Sequence, residues 1–235
     1  AIAGAIFGLE FVRKGHVKYA ALLPALVAAV VGDLTTRALG VGHTHYRAPP
    51  PTPMTWELAL KWLPFAAAIA LTTVGFVELT HLLKKHAEKW APHLPVRMAL
   101  GGVGLIVLWR GFGSDFLGLG VPTIVRAFED PGLPAYVFAL KLVFTAVSIG
   151  VGFPGGEVTP LFFIGATLGS ALAHPLGIPL ELGAGVGLAA VFAAASNTPI
   201  ALSVMAVELL GANVLPHVAI VAVVAHVLTG DRSIY

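Results

Sequence analysis

The sequence predicts an all-α, polytopic membrane protein built from short, broken and re-entrant helices. Three observations predict it. Of 235 residues, 57% are hydrophobic and only 11% are charged, against about 25% charged in soluble domains, too few to clothe a water-facing surface. Between Val158 and Gly230 the charged residues are Glu181 and Glu208, leaving uncharged runs 158–180, 182–207 and 209–230; each has the ~20 residues that cross a bilayer as helix. These runs are interrupted by Pro160, Pro175, Pro179, Pro199 and Pro216, and lipid tolerates such breaks only where protein or a water-filled cavity satisfies the freed backbone groups.

The elements follow in order. The chain opens at Ala1 inside an apolar segment, with neither Met nor a signal-peptide n-region, and is expected to be cut from something longer. Residues 19–56 comprise a helix over Ala20–Leu39 and a loop, 40–56, whose Pro49, Pro50, Pro51 and Pro53 make it an extended connection outside the membrane. Residues 57–229 form the main membrane unit. Its first helix contains Trp62–Leu83 and begins near Trp56; Met98–Trp109 is expected to be too short to span straight; Pro134–Gly152 is a helix carrying Lys141. Ser196-Asn197-Thr198-Pro199 reads as a turn between two helices, with Asn197 or Thr198 capping the second. Arg13, Lys14 and Lys18 lie two crossings away from Lys84, Lys85, Lys89 and Arg97. The positive-inside rule puts both groups in the cytoplasm and the proline loop, with Arg47, outside.

An internal echo accompanies this pattern. Ile2–Val12 (IAGAIFGLEFV) and Ile200–Leu210 (IALSVMAVELL) share Ile, Ala and Glu at positions 2/200, 3/201 and 10/208. If the echo is a repeat, the chain holds the tail of one repeat and nearly all of a second, and transporter sites form between such repeats.

The densest chemical signal is segment 150–165, GVGFPGGEVTPLFFIG. Its glycines and Pro154 forbid a regular helix until Glu157 or Val158, and Pro160 suits a first helical turn. The predicted result is a helix N-terminus inside the apolar zone, whose free N–H groups and positive dipole end favour an anion without any basic side chain. Gly155 and Gly156 allow close approach to the backbone, and Thr159 adds a hydroxyl donor. Glu157 fits two roles: a carboxylate on an anion or proton pathway, or a helix cap bonding its own backbone amides.

This segment resembles the CLC family of chloride channels and proton-coupled anion antiporters, whose Gly-Gly-x-Phe-x-Pro motif opens a pore helix; here Gly155-Gly156-Glu157-Val158-Thr159-Pro160 stands in that place. Chloride-handling members usually carry Phe where this chain has Val158. Glu157 and Thr159 flanking it resemble the fluoride/proton antiporter branch. The similarity continues through PLFFIGATLGSALA, Phe192–Ala201 and LGLGVPTIVR at Leu117–Arg126, and covers about the second half of the family fold. The resemblance makes residues 1–18 the tail of a first repeat and residues 230–235 the start of a last helix. It places Gly155, Gly156, Glu157, Val158, Thr159 and Tyr235 at the anion, with Glu157 also proton-linked. Glu10 corresponds to the first of a paired-acid motif whose second acid, a proton carrier, is replaced by Phe11.

The implied function is proton-coupled fluoride export across a cell membrane, the bacterial inner membrane, by a homodimer whose first repeat is absent from this chain. The alternatives are a CLC-type chloride channel or transporter and an intramembrane protein without a transport role. Fluoride or chloride, protons and the lipid bilayer are the implied partners. No cofactor, metal or enzymatic activity is expected. A net charge of +2 lacks the basic stripe that nucleic acid needs, and zero cysteines exclude thiolate sites. The histidines, among them His43, His45, His81 and His86, show no i, i+4 pairing with a carboxylate. His217 and His226 are expected to be packed or interfacial. Ser196 has no His/Asp partner in helical register. Asp33 and Lys141 are expected to pair or snorkel.

Overall fold

A computed structural model describes residues 2–12, 19–42, 44–230, 232 and 234, apart from the side chains of residues 11, 12 and 19. Arg13, Lys14, Lys18, His43 and Tyr235 lie outside the described residues, as does the side chain of Phe11. Within them the regular structure is helical: α1 (Ile2–Val12), α2 (Leu22–Ala38), α3 (Trp56–Trp90), α4 (Leu94–Phe112), α5 (Val121–Glu129), α6 (Val137–Gly150), α7 (Val158–Leu176), α8 (Leu180–Ser196), α9 (Pro199–Leu210) and α10 (Leu215–Thr229), with short 3-10 turns between some of them.

The bundle is organised around α8. Every residue from Leu182 to Ser196 is buried, and a helix apolar on all sides requires neighbours on all sides; α7, α10, α9, α3 and α5 supply them. Its closest partner is α7. A Cβ on Gly165 would run into the Gly187 carbonyl, and one on Gly169 into the Gly183 carbonyl. Gly165/Gly169 and Gly183/Gly187 are thus two small-xxx-small pairs meeting face to face, with backbones in direct contact. At the periphery, α2 buries no residue and α4 buries only Gly101. Leu23, Val27, Leu34, Leu100, Val103 and Val107 are exposed on them, apolar faces that call for lipid or another protein surface against them.

Among the described residues, four helical stretches, Trp56–Trp90, Leu94–Phe112, Val158–Leu176 and Ala212–Thr229, are long and apolar enough to cross a membrane. The second corrects an expectation: α4 runs over 19 residues, not the twelve of Met98–Trp109. Arg97 and Arg110 lie within the helix, and the Arg97 Nε donates to the Val151 carbonyl at 3.1 Å. The run 182–207, long enough to span by count, is divided where Asn197 takes a left-handed φ of 58° and closes α8. Neither Asn197 nor Thr198 caps α9: Thr198 occupies the cap position without a side-chain cap bond, and its hydroxyl lies 2.6 Å from that of Ser196.

The cap comes instead from α1. The Glu10 carboxylate accepts the Ile200 and Ala201 N–H groups at 3.1 and 2.7 Å. Reciprocally, Glu208 accepts those of Ile2 and Ala3 at 2.7 and 3.3 Å. The antiparallel helices α1 and α9 therefore clasp each other, each glutamate filling the other helix's N-terminus. The three identities of the internal echo are the residues of this clasp. Asp33 and Lys141 do not pair: Asp33 bridges Arg37 at 2.8 Å, while Lys141 bonds backbone carbonyls.

Outside the bundle the proline loop is tied down at three points. Tyr46 stacks on Phe128 at 5.3 Å, Arg47 pairs with Glu181 at 3.2 Å, and the Thr52 carbonyl meets His217 Nε2 at 3.0 Å. His217 is fully buried, and its Nδ1 accepts the Trp62 indole N–H at 3.2 Å.

Candidate functional site

Segment 150–165 begins where α6 stops. Gly150 passes against α3, where a Cβ would lie 2.8 Å from that of Leu83, and Gly152 takes a φ of +97° that an L-residue rarely adopts. Arg97, itself 3.7 Å from Glu88, holds the Val151 carbonyl. Residues 153–156 then follow without regular secondary structure, with Pro154, Gly155 and Gly156 exposed. A Cβ on either Gly155 or Gly156 would meet nothing within 4 Å, so this stretch borders open space.

Glu157 is the residue before α7, and Val158 is its first residue. The first helical bond in this turn is that of Leu161 N–H to the Glu157 carbonyl, at 3.1 Å. The Val158 and Thr159 amides precede it, and Pro160 has no N–H to offer, so the helix presents few but unshared donors. The Glu157 side chain makes no cap bond, and its Oε2 is buried without a hydrogen-bond partner among the described residues. A buried carboxyl oxygen left in this way is costly unless a proton, an ion or a polar group outside these residues meets it.

Beside this turn, Val158 and Phe162 of α7 line an apolar groove of about 300 Å³ with Phe7 of α1, Phe192 of α8 and Met205 of α9. Phe192 stacks on Phe7 at 5.5 Å and meets Phe162 edge-on at 5.6 Å. The structure thus joins Gly155, Gly156, Glu157, Val158 and Thr159 in one continuous turn and adds aromatic residues from two other helices, α1 and α8. Tyr235 lies outside the described residues; Ile234 donates its N–H to the Ala195 carbonyl, at 3.0 Å, which sets Ile234 against the C-terminal turn of α8. Phe7 and Phe192 were not singled out in the sequence; only tertiary packing marks them.

A sequence profile described as "Voltage gated chloride channel" matches residues 1–230. The chain belongs to the voltage-gated chloride channel family. It is 41% identical over 241 residues to a protein of Pseudomonas syringae pv. tomato named "Chloride/fluoride channel protein", covering 100% of this chain and 53% of that protein. It is 30% identical over 246 residues to "Voltage-gated ClC-type chloride channel ClcB" of Escherichia coli, covering 97% of this chain and 57% of that one. A crystal structure described as "a CLC-type fluoride/proton antiporter" superposes with a TM-score of 0.96 at 34% identity, over 100% of this chain and 60% of that one. The chain therefore spans a little over half the length of the curated relatives it matches. Its fold is CLC-type, and it is a multi-pass membrane protein.

Proposed function

We propose that this chain forms one wall of a proton-coupled fluoride exporter in the bacterial inner membrane, a transporter rather than an enzyme, assembled as a homodimer. Gly155, Gly156, Glu157, Val158 and Thr159 line the anion path, Tyr235 contributes its hydroxyl, and the remaining length of the fold carried by the relatives supplies the opposite wall. The observation that carries this reading is the buried, unpartnered Oε2 of Glu157 beside open glycine backbone and a helix start. Fluoride is small and strongly hydrated, so its water must be replaced by short donors. Thr159 supplies a hydroxyl and the turn supplies amides. Glu157 donates only when protonated, because the carboxylate would repel the ion. Binding of fluoride and of a proton are thereby coupled at one side chain.

The test is fluoride and chloride efflux, with pH recorded, from liposomes holding the full-length protein. Thr159→Val should weaken fluoride binding by about 0.5–1.5 kcal/mol, roughly two- to tenfold. Glu157→Gln keeps a donor and abolishes titration, so it should spare part of the binding and uncouple proton movement. Coupled exchange unchanged in Glu157→Gln would overturn the reading. A chloride pathway is the second reading, favoured by the names of the two relatives; chloride efflux exceeding fluoride efflux in the same liposomes would establish it.

A further inference from the structure

Lys141, on the second turn of α6, is only 2% exposed and has no carboxylate partner among the described residues. Its Nζ donates to the Phe116 and Gly118 carbonyls at 3.0 and 2.7 Å and stands 5.0 Å from the centroid of the Phe163 ring. An ammonium carries three N–H donors, so one remains beyond these two bonds. Lys141 also borders a cavity of about 180 Å³, walled on the same helix by Thr145 and Ser148 and on the far side by Phe153, Gly155 and Gly156. The Ser148 hydroxyl is spent on the Phe144 carbonyl at 2.8 Å. The Thr145 hydroxyl bonds no protein atom among the described residues, whereas most threonines buried in these helices bond back to the preceding turn.

A buried charge is expensive unless a full opposite charge meets it. Two carbonyls and a ring face bring only partial negative charge. A spare ammonium N–H, a spare hydroxyl and an open glycine backbone converge on one cavity, and all three suit an anion. We infer that the cavity between Lys141, Thr145 and Gly155–Gly156 is a separate station for a small monovalent anion, a halide, held as the counter-ion of Lys141. One cation and one hydroxyl match a single charge. The station rests on the reading above, since its ion arrives through the Gly155–Thr159 segment and it shares the Gly155–Gly156 backbone with that path, but its side-chain ligands, Lys141 and Thr145, are different.

The experiment is bromide-soaked crystals of the full-length protein, with anomalous scattering locating the ion, together with calorimetric halide titration. The expected result is one bromide in the Lys141 cavity besides any at Glu157–Thr159. Lys141→Met should lose the cavity ion and reduce halide stoichiometry by one per chain, while Lys141→Arg retains both. Thr145→Val leaves the Phe116 and Gly118 bonds intact and so bypasses any folding defect of Lys141→Met; it should weaken the cavity ion about two- to tenfold. Bromide at Glu157–Thr159 with an empty Lys141 cavity would overturn this inference alone. A cavity ion unaffected by both Lys141→Met and Thr145→Val would overturn it too. Absence of halide from both places would overturn the transport reading with it.

Discussion

Replacing Glu10 by Gln isolates the clasp between α1 and α9. In the native protein the two carboxylate oxygens accept separate backbone N–H groups, at 3.1 Å from Ile200 and 2.7 Å from Ala201. Gln is nearly isosteric but offers one oxygen and one NH₂. One N–H keeps an acceptor and the other faces a donor. A hydrogen bond to a charged group contributes about 1.5–3 kcal/mol, and the lost negative charge at a helix N-terminus about 0.3–1 kcal/mol more. The expected loss is about 2–4 kcal/mol, towards the upper end because Glu10 is half-buried. For a chain of this size that is a Tm lower by about 4–16 °C, measured by thermal unfolding in detergent with tryptophan fluorescence. Glu208→Gln breaks the mirror-image pair, but Glu208 is exposed, so its loss should be smaller. Because both clasps join the same two helices, the double variant should lose less than the sum of the singles. A Glu10→Gln Tm within a degree of wild type, or strict additivity, would refute the clasp as a source of stability.

Gly165→Ala and Gly169→Ala each drive a methyl into a facing backbone carbonyl; overpacking costs about 1–3 kcal/mol even when side chains can yield, so unfolding or aggregation on size-exclusion chromatography is expected at lower temperature for both. Gly104→Ala, with nothing within 4 Å of the added carbon, is the neutral control. Trp62→Phe leaves the buried His217 Nδ1 without its donor, and hydrogen exchange should accelerate in residues 44–54 as the proline loop loses its anchor. Asp130, in the loop after α5, is held below the usual aspartate range first by its hydrogen bond to Arg126 and then by the Gly132 N–H. A lowered folded pKa means that its contribution is present through neutral pH and lost only as pH falls through that lower value; Asp130→Asn should remove that pH dependence, and NMR titration of the Asp130 carboxyl reads it directly.

The parts of the fold visible in the sequence are those set by local rules. The uncharged runs mark α7 and α10 because no soluble surface can be made from them, and the glycines after Gly150 mark the start of α7 because no regular helix passes through them. The sequence misleads at α4, where Arg97 and Arg110 look like membrane boundaries. In the folded chain Arg97 lies inside the helix, its head satisfied by Val151 and Glu88, and Val151 lies 54 residues away in sequence. The same holds for the cap of α9: Thr198 stands at the right position with the right chemistry, yet a carboxylate 190 residues away takes the amides. The echo of three identities carried that information, but only the geometry shows that its shared Ile, Ala and Glu are a donor–donor–acceptor set. Lys141 is similar: its position in an apolar helix announces a buried charge, and nothing local announces the carbonyls of residues 116 and 118.

The turn at Glu157 combines a fixed backbone with an uncommitted side chain. Gly165 lies seven residues beyond Val158, about 10 Å along a helix, and there α7 touches α8 backbone to backbone with no side chain between to absorb a shift. The Phe163 ring, two residues nearer, is pressed against Gly120, where a Cβ would come within 2.6 Å of it, and lies under Lys141. The amides of Val158 and Thr159 are therefore positioned by packing deeper in the helix, not by anything bonded to the turn itself. The Glu157 carboxyl, by contrast, is tied to nothing described. Dipoles that are already in place need no reorganisation when an ion arrives, and a carboxyl without a bond to break can take or release a proton without disturbing them. On the proposed reading, that separation would let proton occupancy change the chemistry of the turn while its geometry stays constant, which is the physical requirement for coupling two ions at one position.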